Sequence, residues 1–253
     1  MITFDVETGA LPWDQLVKLC PEFDPVAAVP DPGEFDPSTV KVGNLKDAAK
    51  IAAKVDEARK LHAESRRSLH KRREAAMNAH VAAFQSKAAL DATTGRVLAI
   101  GILHAGSPVD VKAVEVWSGN EAATLEMFWG LVRSSLDLGM SMVGHNIHGF
   151  DLPFMVRRSW LLGVDVPEKV HNGRYWDAIF VDTMRHWQLG GRDMVGLDPL
   201  CKACGHEGKA DGMTGADFDK LFHGTGEERQ KAIAYLQQDV VATRRLADTM
   251  QIL

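Results

Sequence analysis

Two acids near the amino terminus, Asp5 and Glu7, stand two residues apart in the largely apolar run Ile2-Thr3-Phe4-Asp5-Val6-Glu7. In a strand, that spacing puts both carboxylates on one face. Neighbouring anions repel and are costly to bury, and a cation between them removes that cost. A further acid, Asp151, ends the polar stretch Gly144-His145-Asn146-Ile147-His148-Gly149-Phe150 and precedes Leu152-Pro153. An ordinary helix start, with Asp151 as N-cap and Pro153 in the first turn, explains those two residues but not Asn146 and Phe150. In the third segment, Tyr235-Leu236-Gln237-Gln238-Asp239, a separation of four puts Tyr235 and Asp239 on one helical face. Singly, each segment has a plain explanation: a strand running out into solvent, a capped helix, an exposed acid on an amphipathic helix.

The elements that must position these residues follow from hydrophobic periodicity. Residues 2–6 read as a short strand buried on both faces, ending at Thr8-Gly9. Pro12, Pro21, Pro25, Pro30, Pro32 and Pro37 crowd the next stretch, which predicts an extended loop because each fixes φ and removes a donor. Residues 44–89 predict helix, with Ile51, Val55, Ala58 and Leu61 as an apolar stripe. There Lys54, Arg59, Lys60, Arg66, Arg67, Lys71, Arg72, Arg73 and Lys87 outnumber Asp56, Glu57, Glu64 and Glu74, giving a basic arm on an acidic body. Strands are then expected over 96–103, 111–117, 140–143 and 178–181. Helices are expected over 121–136, 151–162, 197–204, 216–222 and 227–250. This order implies an α/β domain with a mixed sheet.

Composition narrows the classes. The 253 residues, 45% hydrophobic and 25% charged, suit a globular chain rather than a disordered or fibrous one. A net charge of −5 disfavours nucleic-acid binding by bulk charge, so any such binding needs a local basic patch. Three cysteines make no disulfide framework. No apolar run spans a bilayer, and acids stand where a signal peptide carries basic and apolar stretches, so the expectation is a soluble, cytoplasmic protein without membrane contact. Cys201-x-x-Cys204-x-His206 has the spacing of a zinc half-site, but Cys20, in the proline-rich stretch, is the only other thiol to complete it.

Taken together and in order, Asp5-x-Glu7, Asn146-x-x-x-Phe150-Asp151 and Tyr235-x-x-x-Asp239 resemble the three exonuclease motifs of the DnaQ-like DEDD superfamily. These are the 3′–5′ exonucleases, including the proofreading domains of DNA polymerases. The resemblance runs from Phe4 to Leu246. The histidine variant of that family has its base five residues before the last Asp, where this chain has Ala234; Tyr235 fits the tyrosine (DEDDy) variant. Text around Lys87-Ala88-Ala89-Leu90 and Gly208-Lys209 is similar to stand-alone, often phage-type, exonucleases related to the family B polymerase proofreading domain.

The resemblance implies an RNase H-like mixed five-stranded sheet flanked by helices, with a basic helical insertion after the first strand. The core would comprise residues 1–20 and 91–253, and the proline-rich loop and insertion residues 21–90. It implies catalysis by Asp5, Glu7, Asp151, Tyr235 and Asp239. The four acids would hold two Mg²⁺ or Mn²⁺ ions and Tyr235 would orient the attacking water. Thr8 and Gly9 would meet the terminal 3′-OH through the backbone, Leu11 would wedge against the last base, and Asn146 and Phe150 would contact the terminal nucleotide. The implied substrate is single-stranded DNA or a frayed 3′ end, cut to nucleoside 5′-monophosphates. RNA is an alternative substrate, and an inactive nucleic-acid-binding module an alternative function. Arg157, Arg158, Lys209 and the basic arm are candidate phosphate contacts, and His145 and His148 candidate supporting groups. Asp182 reads as a strand-end turn residue rather than a ligand.

Overall fold

The computed structural model describes residues 1–171, 179–207, 213 and 215–252. The chain divides into two compact units, Met1–Leu16 with Ala88–Leu253, and Val17–Lys87.

In the first unit five strands form one mixed sheet in the order β3-β2-β1-β4-β5. The strands are β1 (Ile2–Ala10), β2 (Gly95–Leu103), β3 (Glu115–Ser118), β4 (Met142–Gly144) and β5 (Phe180–Asp182). β1, β2 and β3 pair antiparallel, while β4 and β5 run parallel to β1. The expected strand over 178–181 starts at a residue outside the described ones. Residues 111–117 are not one strand: Val111–Ala113 form a 3-10 turn, because the Asp110 carboxylate accepts the Lys112 N–H and bends the chain first.

A short helix, α1 (Trp13–Leu16), follows β1. Helices α5 (Glu121–Asp137) and α6 (Asp151–Leu162) cover one sheet face. The even residues of β1 (Ile2, Phe4, Val6) are buried there with Leu125, Phe128, Trp129 and Leu152. Phe4, fully buried, has its ring 5.1 Å from Phe128 and 6.1 Å from Phe180. Burying each such side chain contributes about 1.5–3 kcal/mol. This apolar anchoring turns the odd residues Thr3, Asp5 and Glu7 to the opposite face. That face meets α10 (Gly215–Phe222) and α11 (Gly226–Thr249), whose Phe218, Ala232, Leu236 and Val240 pack on Ala99 and Leu103. A capping box between Thr225 and Glu228 starts α11. The remaining helices are α7 (Glu168–His171), α8 (Thr183–Gln188) and α9 (Leu197–Ala203). Neither α7 nor α8 was expected from periodicity. No helix among the described residues is long and apolar enough to cross a membrane.

The second unit pairs a strap with a long helical segment. α3 (Ala48–Arg67) and α4 (Leu69–Ala88) meet at Ser68, through which the backbone ladder continues: Ser68 N–H bonds Glu64 and Arg72 N–H bonds Ser68. The proline-rich stretch, with its short helix α2 (Pro25–Ala28), is not a free loop but runs antiparallel along them. The Phe23 ring stacks on His80, Arg73 Nε donates to the Val29 carbonyl, and Phe35 meets His62 edge-on with Arg59 above it.

Candidate active site

The odd face of β1 presents Asp5 and Glu7 toward α11. What lets α11 come close is Gly101, the partner of Asp5 across the β1–β2 pair. A Cβ there would stand 2.8 Å from Val240 Cγ2 and 3.1 Å from Leu236 Cγ, too close for any other residue without displacing the helix. Asp239 is thereby brought beside the strand acids. Asp5, Glu7 and Asp239 each offer a carboxylate oxygen within 4.8 Å of the other two, with Glu7 and Asp239 buried and Asp5 half-buried. Among the described residues this is the one such group of His, Cys, Asp or Glu side chains. Three hard oxygen donors at that spacing suit a Mg²⁺ or Mn²⁺ ion.

Tyr235, one helical turn before Asp239, sets its hydroxyl beside that carboxylate. Burial, then the charges of Asp239, Glu7 and Asp5, push the phenol well above its usual pKa. The hydroxyl therefore remains a donor. Gly215 begins α10 close to Glu7: a Cβ there would lie 3.9 Å from Glu7 Oε2. A cleft of about 210 Å³ opens beside Asp239, lined also by Asp198, Cys201, Glu207 and Arg245.

Asp151, the fourth expected ligand, is not a member of the group formed by Asp5, Glu7 and Asp239. It is the first residue of α6 rather than its N-cap, which is Phe150. Its buried carboxylate faces the N–H of Val6, the residue between Asp5 and Glu7. Burial lifts its pKa to about 7; its own amide and that of Val6 pull downward, and the charge of Asp182 adds to the rise.

The remaining expected residues are engaged in the fold to different extents. The Thr8 hydroxyl, next to a bulge in β1, donates to the Ala89 carbonyl at 2.7 Å. Gly9 lies under Asp219, whose Cγ would be 2.6 Å from a Cβ at that position and whose Oδ2 accepts the Ala10 N–H. Leu11 and Phe150 are half-buried, with the Phe150 ring 5.4 Å from Phe154. Asn146 adopts φ +59°, a conformation that Asn tolerates best after glycine, and its carboxamide oxygen folds over Gly149. A tight turn thus accounts for an Asn at this position.

Arg158 is not a surface charge open to phosphate. It is buried, with Nε and Nη2 each 2.8 Å from a Glu121 oxygen, and its Nη1 donates to the Ala92 carbonyl. Arg157 is exposed, and Lys209, like Gly208, lies outside the described residues. Cys201 is buried in a cluster with Leu200 and Leu246, and His206 Nε2 lies 2.8 Å from the Thr249 hydroxyl. Cys201, Cys204 and His206 form no metal-binding group among the described residues.

Sequence reasoning passed over Gly101, whose signal was a glycine inside an otherwise apolar strand. It also assigned Asp182 only a turn. Asp182 caps α8, and burial pushes its carboxyl up, but hydrogen bonds from His148 and Asn146 outweigh this and hold it below its usual range. His145 bridges the Thr183 hydroxyl and the Val195 carbonyl.

A mixed five-stranded sheet with helices on both faces is an α/β fold similar to that of a family B polymerase exonuclease domain. The family B DNA polymerase of the hyperthermophilic archaeon Pyrobaculum calidifontis shares this fold with a TM-score of 0.50 and 18% identity. The match covers 66% of this chain and 23% of the polymerase chain, so the protein spans less than a quarter of that enzyme. Residues 87–247 match the family described as "Predicted 3'-5' exonuclease related to the exonuclease domain of PolB", and the chain belongs to that family. No curated protein matches the chain significantly.

Proposed function

We propose that the protein is a metal-dependent 3′–5′ exonuclease of the tyrosine DEDD type, acting on single-stranded DNA or frayed 3′ ends and releasing nucleoside 5′-monophosphates. The observation that carries this reading is the convergence of Asp5, Glu7 and Asp239, with Tyr235 beside the last of them. Asp5 would be shared between two Mg²⁺ or Mn²⁺ ions, Glu7 and Asp239 would complete one site, and Asp151 would serve the other. Paired ions at such a site stabilise the attacking and leaving oxygens of an in-line displacement.

The protein's own groups do the rest. Water adds to the terminal phosphorus and gives up a proton to solvent, the bond to the preceding 3′-oxygen breaks, and that oxygen takes up a proton from solvent, so that one water is consumed. Tyr235, kept protonated above all by its burial and directed at Asp239, would orient the water by accepting a hydrogen bond from it rather than act as a base. Phe150 and Leu11 retain exposed surface to stack on or wedge against a terminal base, a contact that tolerates any sequence. Thr8 and Gly9 would meet the 3′-OH through the backbone, since the Thr8 hydroxyl is already engaged. Asn146 would flank the terminal nucleotide. The basic helices add a sequence-independent hold on phosphates.

A time course on 3′-labelled and 5′-labelled DNA oligonucleotides with Mg²⁺, Mn²⁺ or EDTA tests polarity and metal dependence together. Loss of the 3′ label first, only with metal, is expected; EDTA-resistant cleavage or 5′-first loss overturns the reading. A matched RNA oligonucleotide distinguishes the two substrate classes.

A further inference from the structure

Asp182 ends β5, in register with Gly144 of β4, and its side chain is 1% exposed. Oδ1 accepts the Asn146 N–H at 2.8 Å and the Met184 N–H at 3.0 Å. Oδ2 accepts the His148 N–H at 3.0 Å and stands 3.5 Å from His148 Nδ1. One carboxylate thus caps α8 and also clamps the turn between β4 and α6.

The clamp reaches Asp151 through two further bonds. The Asn146 carbonyl, held in place by that turn, accepts the Phe150 N–H at 3.0 Å, and the Ile147 carbonyl accepts the Leu152 N–H at 2.9 Å. These bonds fix the residues on either side of Asp151, the first residue of α6, whose carboxylate faces β1 at Val6. A strand end needs a cap, but a cap alone has no reason to bind the amides of a different loop.

We infer that Asp182 is a positioning residue: by binding the Asn146 and His148 amides it sets Asp151 against β1, next to Asp5 and Glu7. This rests on the proposed role of Asp151 as a metal ligand. It gives Asp182 a share in catalysis without contact to substrate or ion.

Asp182→Asn retains an oxygen for Asn146 and Met184 but turns an amide toward the His148 N–H, so it loosens the clamp and keeps most of the cap. Leu125→Ala, which empties part of the core under α5, is the comparison for plain destabilisation. Each variant is followed by thermal unfolding, kcat and KM on a single-stranded oligonucleotide, and Mn²⁺ titration calorimetry.

For Asp182→Asn, kcat should fall about tenfold or more with KM nearly unchanged, as expected when a reacting group is misplaced, and Mn²⁺ affinity should fall several-fold. Leu125→Ala should lower the melting temperature and leave both quantities near wild type. Wild-type kcat and Mn²⁺ affinity in Asp182→Asn, or equal losses in Leu125→Ala, would overturn the inference. A wild-type protein without hydrolysis refutes the exonuclease reading instead, and the Mn²⁺ isotherms still decide the role of Asp182.

Discussion

Gly101 lies across from Asp5 in the sheet, and the space left by its missing side chain is occupied by Val240 of α11. The close contact between helix and strand, and with it the approach of Asp239 to Asp5, depends on that hydrogen atom. Gly101→Val should therefore push α11 outward. Overpacking of this kind costs about 1–3 kcal/mol. The melting temperature should fall, and hydrolysis should fall further than destabilisation explains. Activity assayed well below the transition checks this, and full activity there would show that α11 does not need the close approach.

Asp5→Ala and Asp239→Ala should abolish hydrolysis while leaving oligonucleotide binding in place. Tyr235→Phe removes the hydroxyl that orients the water but no metal ligand, so its rate should drop by about 10- to 100-fold. Single-turnover kinetics beside fluorescence anisotropy separate chemistry from binding. Turnover in either alanine variant would reject the assignment.

Gathered carboxylates predict strong stabilisation by an ion. Mn²⁺ at a hundredfold excess over its dissociation constant should add about 2.7 kcal/mol. For a chain of this size that raises the melting temperature by roughly 5–10 °C. Asp239→Asn relieves repulsion, so without metal it should melt no lower than wild type, and it should lose the Mn²⁺ increment. Differential scanning fluorimetry measures both.

Arg66 approaches Asp31 and Arg73 donates to Val29, whereas Arg67 and Lys71 have no ion pair among the described residues and Arg72 donates to the Ser65 hydroxyl. Replacing Arg67, Lys71 and Arg72 together by Ala should weaken oligonucleotide binding without changing specificity. The slope of log affinity against log salt should become shallower by about 2, the value for three single-strand phosphates. An unchanged slope would leave those cations as a solvated surface.

Burial, with Cys204 and Asp198 nearby, pushes the Cys201 thiol to about 11. Little thiolate is present at pH 8, and access is closed. Alkylation of the native protein followed by mass spectrometry should label Cys20 and Cys204 well before Cys201, and unfolding should abolish the difference.

Much of this architecture was legible from periodicity. The apolar even residues of β1 turn Asp5 and Glu7 to one face, and the spacing of Tyr235 and Asp239 puts them on one side of α11. The bounds of α6 also follow from the pattern, although its first residue turns its carboxylate to another strand instead of capping its own helix. Other features depend on contacts distant in sequence. Arg158 is indistinguishable from Arg157 until Glu121 folds onto it. The proline-rich stretch becomes a strap only because Phe23 and Phe35 find His80 and His62. α8 is short and owes its start to the Asp182 cap, which leaves little periodic trace.

The two long strands, β1 and β2, are flanked on both sides, and among the described residues the borders of the sheet are β3 with four residues and β5 with three. Borders so brief offer a poor template for an incoming chain, which protects the fold against edge-to-edge aggregation. A partner of this domain is therefore expected to grip it through helices or loops rather than by adding a strand.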